Sequence, residues 1–493
     1  MLTGDKMFNL QEEANPAIPL RKNANREADA AAPGSVKGLR RRQLRELIVF
    51  LIFSVFVFNI ASVVVPHPGI PGVQRNLEPN SLAYPAIFFV GIRWTDSLGP
   101  MLQAIHFLEI DPHGPVYQKI FFGDHTKFQY PLTSLLPYYE MQRWGIGNRK
   151  LFWLSRVTVD LSFIATIALS ILLALWLLAE RAGGAATRRE KICIGVSLGI
   201  AGLVFNPLVS AAILGQIQAL LTLGFALAFL CWLTGKEAWA GAILGSMMLV
   251  KPQYGVFLLW ALVRRKFSAA VSALVCCATG FAVSCAVFGF KNNLDYIRVL
   301  QYIGRRGESY YPNQSINGIL NRLRGSADFL RFDVRHFAPE DAFVFWGTMA
   351  STMLLLLIAI FYPWGKERRG GAGDFACILL VSTMASPIAW NHHYAILLPI
   401  FVWLWFDDYA WRKSGWDRML LAVAFFLTSN MITPTMALMN LPGWNLLTSN
   451  LYVGAILALV ALLRSGTGAQ DGSIAIWSGR DLGLVAASPG IGQ

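Results

Sequence analysis

The chain has 493 residues, of which 55% are apolar and only 14% charged, with a mean hydropathy of +0.47. That balance excludes an ordinary soluble domain, and the formal charge of +13 calls for no nucleic-acid partner, because the Lys and Arg of a membrane protein collect on its cytoplasmic side. The apolar residues come in continuous runs rather than in alternation, which predicts helices and not a barrel: an all-α polytopic membrane protein.

In chain order, residues 1–46 are polar, Ala- and Asn-rich and without periodicity, and read as a disordered cytoplasmic tail. The tail ends in RRRQLRE, and the apolar run 47–65 behind it reads as an uncleaved first span of a membrane domain covering 47–464. The mixed segment 66–150 is then an external loop with interfacial helices, since its apolar pieces 83–92 and 131–142 are too short to cross a hydrocarbon core of about 30 Å. Keeping 131–142 outside lets 151–179 descend to the basic stretch ERAGGAATRREK, 192–212 rise, and 215–233 descend to TGKE. The run 238–263 is broken at Lys251-Pro252 and has basic residues at both ends, which predicts a hairpin of two half-helices. Residues 267–288 rise to a second external loop, 289–342. Spans follow at 343–363, 375–389, 393–408, 418–438 and 447–464, and residues 465–493 form a C-terminal tail. The expected total is about ten to thirteen transmembrane helices, with both termini inside and no internal repeat. All six cysteines lie in apolar segments and read as packing residues.

The second loop breaks the charge rule. It carries Arg298, Arg305, Arg306, Arg322, Arg324, Arg331 and Arg335 on the side where basic residues are scarce. A solvated loop touching lipid headgroups would explain this. So would phosphate recognition, for which the planar, permanently charged guanidinium is suited, and the dominance of Arg over Lys favours phosphate.

Five polar clusters fall at ends assigned to the outside: RWTDSLG with Asp96; FQYP with Lys127 just before it, and Gln129 and Tyr130; FNPLVSAAILGQIQ with Asn206, Gln216 and Gln218; YYPNQSINGILNRL; and SPIAWNHHY with His392 and His393. Polar groups near the membrane are costly and tend to be functional. Each also has a plain structural reading. Asp96 is placed to cap a helix over 98–110, Asn206-Pro207 to start one, and Asn391 to cap the helix bearing the two histidines. Those histidines point about 100° apart on a helix and cannot face one small ligand alike. NQS fits an N-glycosylation pattern, and Arg156 and Asp160 are spaced to neutralise one another. Lys251 resists such a reading, because an unpaired ammonium at a helix break in the membrane is expensive. No zinc motif, phosphate-binding Gly-rich loop, nucleophile elbow or dinucleotide fingerprint is present.

Taken together, DSLGPMLQAIHFLEIDPHGPVY, FQYPLTSLLP, NPLVSAAILGQIQALL, AGAILGSMMLVKPQYGVFLL, NQSINGILNRL and SPIAWNHHYAILLP occur in an order that resembles the family-87 glycosyltransferases of the GT-C type, over roughly residues 47–410. The resemblance implies a GT-C fold and, for many members, α-mannosyl transfer from a polyprenyl-monophosphate sugar to a lipid or glycan acceptor. It places the active site away from the cytoplasm, with Asp96 as the catalytic acid residue of the first loop. It also implies Tyr130, Gln216, Lys251, Asn313, Gln314, Arg322 and His392, with its neighbour His393, as donor- or acceptor-binding residues. The chain departs from many relatives in Ser97-Leu98-Gly99-Pro100, where they are more aromatic, and in the single Pro131, where they carry two. On this reading Asp96 is the general base of an inverting transfer and Arg322 stabilises the departing phosphate, with no cofactor and no required divalent metal. The alternatives are a lipid or sugar flippase, which predicts related halves and short loops, and a ligase using a polyprenyl-diphosphate glycan.

Overall fold

The computed structural model describes residues 45, 46, 48–50, 54, 95–181, 187–325, 329, 332–366, 368–406, 415–429 and 448–466. Two units are distinguished, Met1–Val49 and Phe50–Gln493. In the first, Arg45, Glu46, Ile48 and Val49 are helical; most of the expected tail lies outside the described residues. So do most of the first span, the loop stretch 66–94, Arg331 and residues 467–493. All that follows concerns the second unit. Its described residues are mostly helical, with one isolated β-bridge between Asn313 and Trp390.

The described part of the first loop folds on a small core that it shares with the second loop. Helix α1 (Leu98–Ile110) buries Leu98, Met101, Leu102, Ile105 and Leu108, the spacing of one helical face. They pack with Tyr117, Phe128, Leu132, Val299 and Ile303. A π-helical turn (Tyr117–Gly123), an extended run to Pro131, a 3-10 turn (Leu132–Leu135) and helix α2 (Leu136–Arg143) complete this part. Neither the 3-10 turn nor α2 is long enough to cross a bilayer, in keeping with the sequence.

Helix α3 (Asn148–Arg181) is followed by α4 (Arg188–Val204), which Thr187 and Glu190 start with a reciprocal capping box. Where the sequence suggests one span over 192–212, the chain instead bends by 58° between α4 and α5 (Asn206–Ile213). Pro207 is the reason: it lacks an N–H and cannot continue a helix, but it fits the first turn of a new one. Gly215, at φ 61°, turns the chain from α5 into α6 (Gln218–Leu233).

The predicted hairpin is present. Helix α7 (Glu237–Met248) ends before Lys251, a 3-10 turn (Pro252–Gly255) reverses the chain, and α8 (Val256–Val263) leads to α9 (Phe267–Phe288). Gly241 lies on Ala269, Gly245 on Ala273, and Gly280 under Leu249. The contacts advance in step, so α7 and α9 run parallel, and α8 must return between them. The two ends of the hairpin meet where Lys266 Nζ pairs with Glu237 Oε1 at 2.6 Å. Small residues at this seam let the backbones approach, the usual basis of helix packing in lipid.

The second loop contains α10 (Phe290–Arg306) and α11 (Ile316–Arg324). Then come α12 (Ala342–Phe361), α13 (Ala372–Met384), a 3-10 turn (Asn391–Ile396), α14 (Leu397–Phe406), α15 (Gly415–Ser429) and α16 (Asn450–Gly466). Helices α3, α9 and α12 are long and apolar enough to cross a membrane, and the bent pair α4–α5 adds a fourth if counted as one span. On length and composition, the expected ten to thirteen spans are thus matched for three or four segments among the described residues. Exposed Val271, Leu274, Val275 and Phe281 on α9, and Trp346, Met353, Leu354 and Phe361 on α12, suit a lipid surround.

The connections expected on the inside gather at one end of the bundle. Arg264 pairs with Asp374 at 2.5 Å, both side chains buried, and Asp374 also accepts from Trp260 Nε1 and Gly370 N at 2.8 Å. Trp232 Nε1 donates to Gly370 O at 3.2 Å, and Arg464 pairs with Asp417 at 2.7 Å. The polar clusters of the sequence lie elsewhere, and most converge.

Candidate active site

Asp96 occupies the turn before α1. Its N–H donates to Leu214 O at 3.0 Å, which fastens the turn to the α5–α6 connection. The capping reading does not hold: the N-cap position is Ser97, and no side chain caps this helix. The Asp96 carboxylate, exposed at its rim, instead receives Gln216 Nε2 at 3.4 Å. Protein packed behind the carboxyl pushes its pKa up, and the Gln216 hydrogen bond partly opposes that.

Ser97 ties this corner together. Its Oγ lies 2.7 Å from Gln216 Oε1, 3.0 Å from Tyr130 Oη and 3.1 Å from Ile217 N. Tyr130 is aimed by its own backbone, whose carbonyl accepts from Tyr117 Oη at 2.8 Å, while Tyr296 Oη donates to Gln129 O at 3.0 Å. Both phenols belong to a buried aromatic group in which Tyr117 stacks on Phe128. Burial pushes the Tyr130 phenol up to about 12, so it stays a neutral donor.

Two residues beyond Gln216, Gln218 faces a second cluster. Lys251 Nζ, at the break between α7 and α8, lies 2.7 Å from Gln218 Oε1 and 2.6 Å from His393 Nε2. Among the described residues no carboxylate pairs with this ammonium. His392 and His393 are both buried on the 3-10 turn, their rings edge to face at 4.8 Å. As their spacing predicts, they do not act alike: His393 meets Lys251, while His392 N bonds to Asn391 Oδ1 at 2.8 Å. The Nδ1 atoms of both rings are buried without a hydrogen-bond partner among the described residues. The stretch Gly215-Gln216-Ile217-Gln218 therefore touches Asp96 on one side and Lys251 on the other.

Asn313, Gln314 and Arg322 sit next to the histidine turn but are used within the protein. Gln314 N donates to Ala389 O at 2.8 Å and Asn391 N to Pro312 O at 3.0 Å, docking the two loops. The Asn313 amide donates to Glu308 O and Pro387 O and accepts from Ala389 N and Ser315 Oγ. Fully buried and hydrogen-bonded, the side chain of the NQS pattern's Asn313 is not presented at the surface of the folded protein. Gln314 donates to Tyr311 O and Thr448 O. Arg322, 1% exposed, donates to Asn313 O at 3.1 Å and Ser449 Oγ at 2.9 Å.

Three other arginines of this loop pair with separate carboxylates. Arg298 lies 3.7 Å from Asp295, Arg306 3.7 Å from Glu340, and Arg324 2.9 Å from Asp341. Arg156 pairs with Asp160 at 2.9 Å, as its spacing predicts. Lys127 reaches Glu308 at 2.6 Å and lies over Phe332 and Phe337 at 4.5 and 4.4 Å. Burial lowers the Lys127 pKa and raises that of Glu308, against their mutual attraction. The pair thus ties the two loops at a desolvation cost.

Of the residues singled out in the sequence, Asp96, Tyr130 and Gln216 form one constellation and Lys251 and His393 an adjoining one. Asn313, Gln314 and Arg322 form the scaffold beside them. Ser97 carried no signal beyond its place after Asp96. Among the described residues no group of three or more His, Cys, Asp or Glu side chains is placed to hold a metal ion.

An exposed carboxylate is thus bonded to the Gln216 amide, with the Tyr130 phenol on the neighbouring Ser97 hydroxyl, and Gln216 lies two residues along the chain from the Gln218 amide that holds Lys251. Residues 128–387, just over half of the chain, match the model of Glycosyltransferase family 87, and the chain belongs to that family. It is a glycosyltransferase; Asp96, His392 and His393 lie outside the matched stretch. Among similar proteins is the polyprenol-phosphate-mannose-dependent alpha-(1-2)-phosphatidylinositol pentamannoside mannosyltransferase of Mycolicibacterium smegmatis (strain ATCC 700084 / mc(2)155). It is 26% identical over 379 residues, covering 73% of this chain and 83% of its own length. The polyprenol-phosphate-mannose-dependent alpha-(1-2)-phosphatidylinositol mannoside mannosyltransferase of the same organism is 27% identical over 207 residues, 38% of this chain and 41% of that protein. The polyprenol-phosphate-mannose-dependent alpha-(1-2)-phosphatidylinositol pentamannoside mannosyltransferase of Mycobacterium tuberculosis (strain CDC 1551 / Oshkosh) is 28% identical over 228 residues, 44% of this chain and 48% of that protein. No solved structure matches.

Proposed function

We propose that this chain moves a mannosyl residue from a polyprenyl-phosphate donor to a lipid-linked mannoside acceptor, on the outer face of the membrane and with inversion, within a GT-C arrangement of ten to thirteen spans. One observation carries the reading: the exposed Asp96 carboxylate, held by a neutral amide, shares the Gln216–Gln218 stretch with the Lys251 ammonium, which lacks a carboxylate partner among the described residues.

The donor already contains a good leaving group. Asp96 takes the proton of the acceptor hydroxyl, the oxygen attacks the anomeric carbon, and the carbon–oxygen bond to phosphate breaks on the opposite face. General-base catalysis of this kind contributes about 10²–10⁴-fold. Lys251 uses two of its three N–H groups on Gln218 and His393, which leaves one for a phosphate oxygen. Tyr130 and Gln216 line the approach to Asp96. Asn313, Gln314 and Arg322 act one step back, by holding the loop against the histidine turn; this differs from the direct phosphate contact that the Arg-rich sequence suggests. No cofactor and no divalent metal is invoked.

The test is transfer of labelled mannose from polyprenyl-phosphate mannose to phosphatidylinositol mannosides in membranes with and without the chain. Asp96→Asn is expected to abolish transfer while donor binding persists. Full transfer by that variant would remove Asp96 from the role, and sugar uptake into sealed vesicles without transfer would favour a carrier.

A further inference from the structure

Ser97 has a single proton and three polar neighbours, and with the acceptor-only carboxylate of Asp96 at the far end of the Gln216 amide the polarity of the corner follows. Ile217 N–H can only donate, so Ser97 Oγ accepts there. Gln216 Oε1 can only accept, so the Ser97 proton goes to it, at 2.7 Å. Tyr130 Oη, at 3.0 Å, must then donate to the remaining lone pair of Ser97. With Oε1 held by Ser97, the other end of the Gln216 amide faces Asp96 as an N–H donor. The reversed amide would set an oxygen against the carboxylate. We propose that Ser97 is a positioning residue: its hydroxyl sets the orientation of the Gln216 amide and so the presentation of the Asp96 carboxylate to the acceptor. This inference rests on Asp96 being the base.

Packing alone does not explain Ser97. A small cleft of about 20 Å³ lies beside it, lined in part by Leu98, Tyr138, Ser155, Thr158 and Ile217, so the side chain is not enclosed on every side. Among the described residues, Tyr130 from the extended run is electrostatically coupled to Asp96, Tyr138 from α2 stands next to Tyr130, and α3 carries the Arg156–Asp160 pair. The guanidinium of that pair reaches Ile213 O at 3.4 Å, next to the carbonyl that holds Asp96 N. None of them replaces the amide N–H directed at the carboxylate.

The experiment measures kcat, KM and their pH profiles in detergent, with polyprenyl-phosphate mannose and phosphatidylinositol mannoside as substrates. Ser97→Ala is expected to lower kcat about tenfold at unchanged donor KM, the scale of one or two lost neutral hydrogen bonds. It should also move the acid limb to higher pH, since the carboxylate loses its oriented donor. Ser97→Thr, which keeps the hydroxyl, should restore both. In a Gln216→Ala background, Ser97→Ala should change kcat by less than about twofold, because both substitutions remove one coupled device. Wild-type kcat and acid limb in Ser97→Ala, or losses that multiply in the double variant, overturn the proposal. Should Ser97→Ala not fold, the nearly isosteric Ser97→Cys, a weak donor, must show the same shifts in smaller measure, and its failure to do so also overturns it. Inactive Asp96→Asn beside an unaffected Ser97→Ala removes Ser97 alone; active Asp96→Asn removes both readings.

Discussion

The two ends of the helical bundle use charge in opposite ways. At one, Arg264, Asp374, Lys266, Glu237, Arg464 and Asp417 pair off directly, and the Arg264–Asp374 contact is sealed by Trp260 and the Gly370 backbone. At the other, Asp96 has an amide for a partner and Lys251 an amide and an imidazole. On the proposed function, a carboxylate and a lysine held by neutral groups in neighbouring clusters are the ones left to meet substrate. Charges matched one to one mark a place that holds helices together.

Substitutions can break this contrast. Asp96→Asn is expected to have the largest effect on activity, a loss of about 10²–10⁴-fold or more in kcat, with folding unharmed. The sign follows from the raised carboxyl: the folded protein favours the protonated form, so the ionised group at neutral pH costs stability, and its neutral replacement costs none. Thermal unfolding in detergent beside a transfer assay checks both halves. Asp374→Ala should do the reverse. It strands the Arg264 guanidinium in a buried site, a loss of roughly 3–5 kcal/mol of stability, while the protein that does fold keeps its specific activity.

The Lys127–Glu308 tie sharpens the contrast, because it is paired yet stands at the functional end. Lys127→Met alone should destabilise by about 3 kcal/mol, whereas Lys127→Met with Glu308→Leu should recover most of that, since burial outweighs attraction in both pKa shifts. Recovery read by unfolding midpoint would show the pair to be structural. A smaller effect is expected in the pH profile of kcat/KM. With the Asp96 carboxyl raised, activity should fall, as pH drops, at a higher pH than an ordinary aspartate would give. Arg324→Ala, at an exposed pair with Asp341, should change neither stability nor transfer measurably.

Much of the architecture was legible because lipid makes strong demands. The run 267–288 is helix α9 to the residue, and the break at Lys251-Pro252 is the tip of a hairpin. At Phe205 the sequence pointed two ways: Asn206-Pro207 reads as a helix start, which it is, but apolarity runs through it, so 192–212 also reads as one span, which it is not. At the site, Asp96, Gln216 and Lys251 stood out as polar residues in costly places. The opposite lesson comes from Arg322: an arginine in a basic loop suggests phosphate, but whether its donors are free depends on Asn313 O and Ser449 Oγ, one of them 127 residues away in sequence.

By itself, then, the sequence determined a helical membrane protein, some of the places where its helices stop, and the family to which it belongs, since these follow from apolar run length, from Pro and Gly, and from short ordered motifs. Tertiary structure alone decided which polar groups are spent on one another. Ser97 meets Gln216 across 119 positions and Lys251 meets His393 across 142. Hydrogen bonds are satisfied in space, and no local pattern of the chain records which donor will find which acceptor.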